Sequence, residues 1–229
     1  MFADFRWDLI VDWMPFLLTG VQMTILLTTI AVGAGTIIGL VISLMRISNF
    51  KLANWIGKAY VDFLRGTPLL VQIFIVHFAG PEIVSGIIGD QIRWNAFYSG
   101  VVALSLNSGA YIAEIFRGGI QSIERGQMEA ARSLGMTYPQ AMRYVVLPQA
   151  FKRSIPPLGN EYIAMLKDSS LVAVIAVQDL MMAGRVMAGR TYRPVETYFA
   201  IAFMYLIMTM TIAQLVAYLE RRYGKSDKG

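Results

Sequence analysis

Residues 13–45, WMPFLLTGVQMTILLTTIAVGAGTIIGLVISLM, contain no charged side chain. Roughly 20 apolar residues are enough for a helix to cross the hydrocarbon core of a bilayer. This stretch exceeds that length, so it commits the chain to a membrane.

The remainder agrees. Of 229 residues, 56% are hydrophobic and 15% charged, more apolar surface than one soluble domain of this size hides. Windows 66–81, 94–113 and 197–219 are also uncharged, and 162–182 is apolar apart from Lys167, Asp168 and Asp179. The reading is therefore an all-α membrane protein with about five transmembrane helices, organised as one domain over residues 1–229. Window 66–81 is short and is expected to borrow Phe63 and Leu64 from the segment before it.

Basic residues give the orientation. Fourteen Lys and Arg fall in the segments around 46–65, 117–153 and 221–228, whereas Arg6, Arg93, Arg185, Arg190 and Arg193 fall on the opposite side. Positive charge is retained in the cytoplasm, so the N-terminus is expected outside and the C-terminus inside. The net charge of +5 follows from this topology and does not call for nucleic acid. Residues 1–15, with Phe2, Phe5, Trp7, Ile10 and Trp13 among acids, read as an interfacial helix on the outer surface. They lack the basic start and small-residue cleavage site of a removable signal. The tail 224–229 is expected to fray.

Residues 117–160 form a long cytoplasmic loop, too polar for lipid and too apolar for a plain linker. Glu124 to Leu134 favours a helix, and Gly135 stands where a left-handed C-cap is needed. Thr137-Tyr138-Pro139-Gln140 reads as a capping box opening a second short helix, which Leu147-Pro148 is expected to end. Such a bent pair either inserts into a partner's groove or lies on lipid headgroups.

Glu129-Ala130-Ala131, followed by Gly135 and Leu147-Pro148, resembles the EAA signature of binding-protein-dependent ABC importer permeases. Arg65-Gly66-Thr67-Pro68-Leu69-Leu70-Val71-Gln72, Ala110 to Ile115 and Leu166 to Leu171 are similar to the polar amino acid branch that includes histidine, glutamine and arginine permeases. Ser169-Ser170 stands where that branch often has Thr-Ser. The resemblance covers nearly the whole chain. It implies a type I importer fold with a cytoplasmic coupling helix at Glu129, Ala130, Ala131 and Gly135, completed by Leu147 and Pro148. It further implies a bacterial inner-membrane location, a dimer of ATP-binding subunits, a second permease subunit either identical or related, an extracellular amino acid-binding protein, and no cofactor.

Charged residues inside spans mark functional surfaces. Glu161 and Asp168 are seven apart, so on one helix they fall within about 20° of each other and about 10.5 Å apart. Asn107 and Glu114 repeat the spacing. Glu114 is either a wall of the path or a structural partner of Arg117, three residues on. Lys167 points about 100° away from Asp168 and is expected to snorkel. Glu161 and Asp168, with Asn107, Gln72 and Leu69, are thus expected to line a path for a polar amino acid. A basic side chain is the first expectation and glutamine the alternative.

The chain has no cysteine and a single histidine, His77, which reads as a helix-end residue or a proton relay. An intramembrane enzyme would lack its nucleophile and base. A self-sufficient channel or secondary transporter would need more helices or an inverted repeat. No G-x-x-x-x-G-K-[ST] loop occurs, so ATP would be bound and hydrolysed by a separate subunit. Gly33, Gly35, Gly118 and Gly119 read as helix-packing or hinge positions.

Overall fold

The structure is a computed structural model that describes residues 5–90 and 92–223. Among the described residues four helical stretches are long and apolar enough to cross a membrane: Trp7–Ile47, Leu69–Ile88, Ala96–Gln121 and Pro194–Arg221. A bent pair, Tyr138–Ile175 with Leu180–Thr191, angled by 52°, makes a fifth when counted as one broken span.

Helix α1 (Trp7–Ile47) is unbroken over 41 residues, about 60 Å at 1.5 Å per residue. Residues 7–15, expected to form a separate interfacial element, are its first turns. Phe2 and the tail 224–229 lie outside the described residues. Helix α2 (Lys51–Gly66) turns back along α1 and ends where Pro68 forces Thr67 into an extended conformation, φ −119° and ψ 149°.

Past that break, α3 (Leu69–Phe74), a π turn (Ile75–Ala79) and α4 (Gly80–Ile88) make one apolar stretch. The short window 66–81 is therefore extended forward to Ile88. It does not reach back to Phe63 and Leu64, because those belong to α2 on the far side of Pro68. His77, in the π turn, pairs its Nδ1 with the Ser99 hydroxyl at 3.0 Å.

Helix α5 (Ala96–Gln121) is the central element, packed along α1. A Cβ at Gly35 would meet Ser108 Cβ at 2.9 Å, and one at Gly39 would meet Ile112 Cγ2 at 2.7 Å. Small residues four apart let two membrane helices approach backbone to backbone, where dispersion and short polar contacts hold them. Gly33, one of the expected packing positions, faces open space, as does Gly118; Gly35 and Gly119 are the ones that meet a neighbour.

After α5 come the short helices α6 (Arg125–Ser133) and α7 (Tyr138–Ala141). The chain then passes through a π turn (Met142–Val146) directly into α8 (Leu147–Asp168). Leu147-Pro148 thus opens a long helix where it was expected to close a short one. A proline in a helix's first turn gives up an N–H that has no intrahelical partner, so Pro148 starts the helix as readily as it could stop one.

The window 162–182 is likewise not one helix. It breaks into the end of α8, a 3-10 turn (Ser169–Ile175) and the start of α9 (Leu180–Thr191). The break is built in. Ala176 takes a left-handed φ of 62°, and buried Asp179 caps α9 by accepting the Met182 N–H at 2.9 Å. The Leu180 N–H goes to the Thr24 hydroxyl of α1 at 3.1 Å, pinning the break to the centre of the bundle. Helix α10 (Pro194–Tyr223) packs on α8 and α9 and closes the array.

Replacing Gly39 by alanine is expected to destabilise the purified protein by about 1–3 kcal/mol through overpacking. Gly33→Ala should be nearly silent. Thermal unfolding in detergent compares the two, and equal melting temperatures would contradict the close approach of α1 and α5.

Candidate functional site

Two regions gather the residues singled out in the sequence: a knob at 124–150 and a polar seam along α5 and α8.

In the knob, α6 ends in a Schellman turn. The Gly135 N–H bonds Arg132 O at 3.0 Å, the Met136 N–H bonds Ala131 O at 3.2 Å, and Gly135 adopts φ +88°. The Gln140 side chain accepts the Thr137 N–H at 2.8 Å, starting α7. Ile123, Val146 and Ala150 form a small core with Ile120, Met128 and Met142 against it. That core joins the knob to the end of α5 and the start of α8.

The EAA residues divide: Ala131 is buried within the knob, while Glu129 and Ala130 face out. Beside them stands Leu134, 82% exposed, with Tyr138 and Tyr144 also exposed. Leu147 is partly buried, and Pro148 is exposed. An uncovered leucine and tyrosines beside a small-residue face suit burial in a partner's groove, because isolated apolar tips gain nothing in water. The sequence pattern had placed Leu134 in the helix without showing which way it would point.

In the seam, Gln72 and Asn107 meet. The Asn107 amide nitrogen donates to Gln72 Oε1 at 2.9 Å. Gln72 Nε2 lies 2.7 Å from Leu64 O, 3.1 Å from Thr67 O and 2.9 Å from Thr67 Oγ1. Both side chains are buried. Gln72 is therefore committed to tying the α2–α3 break to α5, with no donor left for a ligand. Leu69 packs on the core around Leu104, Met165 and Val172.

Glu161 and Asp168 lie on the same uninterrupted helix, so their seven-residue spacing holds. Glu161 is half-buried beside the Ser108 hydroxyl of α5. Asp168 is exposed, and neither carboxylate forms a salt bridge among the described residues. The second acid of window 162–182, Asp179, is the buried α9 cap described above and does not join them.

Glu114 is claimed by its neighbours. Arg117 grips it bidentately, Nη2 to Oε2 at 2.7 Å and Nε to Oε1 at 3.2 Å. Arg46 of α1 contacts Oε1, and Arg65 of α2 stands 3.8 Å from Oε2. Its structural role extends past the Arg117 pair expected from spacing, because charges that read as topology signals converge on it from two other helices. No local pattern reveals that convergence.

The chain matches the model of the binding-protein-dependent transport system inner membrane component family over residues 31–225. It is 39% identical to a probable glutamine ABC transporter permease of Bacillus subtilis (strain 168), covering 96% of this chain and 98% of that one. It is 38% identical to an arginine transport system permease of the same organism, covering 93% and 94%. Its fold superimposes on the crystal structure of an amino acid ABC transporter with histidines, with a TM-score of 0.86 and 44% identity over 97% of this chain and all of that one. A methionine ABC transporter in an inward-facing conformation shares the fold at TM-score 0.77 and 21% identity, over 93% and 98%. The apolar helices, the bent helix pair and the knob are those of a membrane permease, and the protein belongs to the family of binding-protein-dependent transport system inner membrane components.

Proposed function

We propose that the chain is the path-forming subunit of an ATP-driven importer of polar amino acids, with basic amino acids as first cargo. The observation that carries this reading is the pair Glu161 and Asp168, two carboxylates on one face of α8 without a salt-bridge partner among the described residues. A carboxylate inside a membrane bundle that is not spent on the bundle's own N–H groups or arginines is kept where it faces water, a cavity or a cation. A cationic side chain or an α-ammonium answers that requirement. Relatives named for arginine and for glutamine are 38% and 39% identical, and the latter favours glutamine as the second reading.

In this assignment the N-terminus faces outward, and the knob faces the cytoplasm and an ATP-binding subunit, two of which serve a pair of permease chains, identical or related. Glu129, Ala130 and Leu134 form the docking face, while Ala131 and Gly135 shape it. Leu147 and Pro148 pass the movement into α8. An extracellular binding protein delivers the amino acid, and ATP hydrolysis belongs to the partner. Asn107 keeps its amide oxygen for the cargo, with Leu69 behind it. Gln72 acts by holding Asn107 in place.

Asp168→Asn and Glu161→Gln in a reconstituted complex should each reduce uptake about tenfold or more, the value of one charge-assisted hydrogen bond. Unchanged uptake in both would remove the acidic path. Leu134→Asp should abolish both copurification of the ATPase and its stimulation by cargo, with the thermal unfolding of the permease unaltered. An intact complex in that variant would put the docking face elsewhere.

A further inference from the structure

We propose that Arg65 is the carboxylate-binding residue of the path, receiving the α-carboxylate of the amino acid whose ammonium group meets Glu161. This rests on the acidic path proposed above and adds the opposite charge to it.

Of the three arginines around Glu114, Arg65 is the least committed. Its nearest approach is 3.8 Å, its side chain is 44% exposed, and no hydrogen bond to its guanidinium occurs among the described residues. Arg117 and Arg46 already occupy both oxygens of Glu114. What holds Arg65 is the face of Tyr111, 5.1 Å from ring centroid to guanidinium carbon. A contact through the ring face uses none of the five N–H donors, and a guanidinium with its donors unspent is matched to a carboxylate gripped through two oxygens.

The local charge points the same way. Three guanidinium groups face the single carboxylate of Glu114, so that cluster carries an excess of positive charge. Unbalanced charge at the edge of a low-dielectric bundle attracts an anion.

Position decides which anion. Ser108, beside Glu161, and Tyr111, under Arg65, are three residues apart on α5, adjacent on one helix face and about 4.5 Å apart along its axis. A negative and a positive group therefore stand one turn apart along the same seam, and they form no direct ion pair. A free amino acid carries its opposite charges on substituents of a single carbon. Helix α5 runs from the outer face inward, so Arg65 lies on the cytoplasmic side of Glu161 and the cargo would travel carboxylate first. This contact is indifferent to the side chain and would serve basic and neutral amino acids alike.

The test is equilibrium binding to the complete complex in nanodiscs, using L-arginine, L-glutamine and the α-carboxamide of each. The intact protein should prefer each amino acid to its carboxamide by about tenfold or more. Arg65→Gln should weaken the amino acids to the level of the carboxamides and leave carboxamide affinity unchanged. Arg65→Lys keeps the charge without the fork, should fall between, and decides the matter if the glutamine variant does not assemble. Equal weakening of acid and carboxamide in these variants, or no preference in the intact protein, would overturn the assignment. Glu161→Gln is measured in parallel: unchanged affinities there, with the Arg65 effect intact, would sink the acidic path alone. If the intact protein binds none of the four ligands, both readings fall.

Discussion

At Gly39 the backbone of α1 runs so close to α5 that a single added methyl would meet Ile112 at 2.7 Å. Much of the site depends on that approach. It brings Arg46 within reach of Glu114, and it leaves α2 room to lie across both helices, where Tyr60 donates to Leu106 O at 2.7 Å. In lipid there is no hydrophobic gain from joining two apolar helices, so contact must come from dispersion and short polar bonds at small residues. The bundle is held by proximity rather than greasiness, and its outer surface stays apolar because it meets hydrocarbon.

Within that frame, polar groups divide by whether they are satisfied. Gln72, Asn107, Thr24 and Glu114 are each bonded within the bundle, as is one carboxylate oxygen of Asp179. They secure breaks and crossings, work that apolar side chains cannot do because a broken helix exposes N–H and C=O groups that must find partners. Asp168 and Glu161 form no ion pair among the described residues, and Arg65 reaches Glu114 only at 3.8 Å, without a hydrogen bond. Polar groups kept unsatisfied at a membrane seam are expensive, which is the physical reason to read them as waiting for a ligand.

Much of this was legible in the residues because it is local. Charge-free windows mark spans, Gly135 marks the end of α6, Thr137 to Gln140 marks the start of α7, and seven-residue spacing puts Glu161 and Asp168 on one face. The misreadings arose where one local signal has two outcomes. A proline both ends helices and begins them, so Leu147-Pro148 was read backward. An apolar run of 21 residues can be a straight helix or two halves around a capped break, and Asp179 before Leu180 carried the cap signal inside an otherwise continuous window. The arginine cluster at Glu114 and the saturation of Gln72 were beyond reach, since each joins helices far apart in the chain.

Helix α8 begins in the knob and carries Glu161 about 21 Å further along the same rod. In the proposed assignment no relay of side-chain contacts is then needed between the knob and the two carboxylates: a push at one end would be a displacement at the other. Pro156 and Pro157 interrupt the rod's hydrogen-bond ladder between the two. They make that stretch the place where the proposed lever would bend at least cost, and a bend there would set the gearing between an engine's stroke and the grip on its freight.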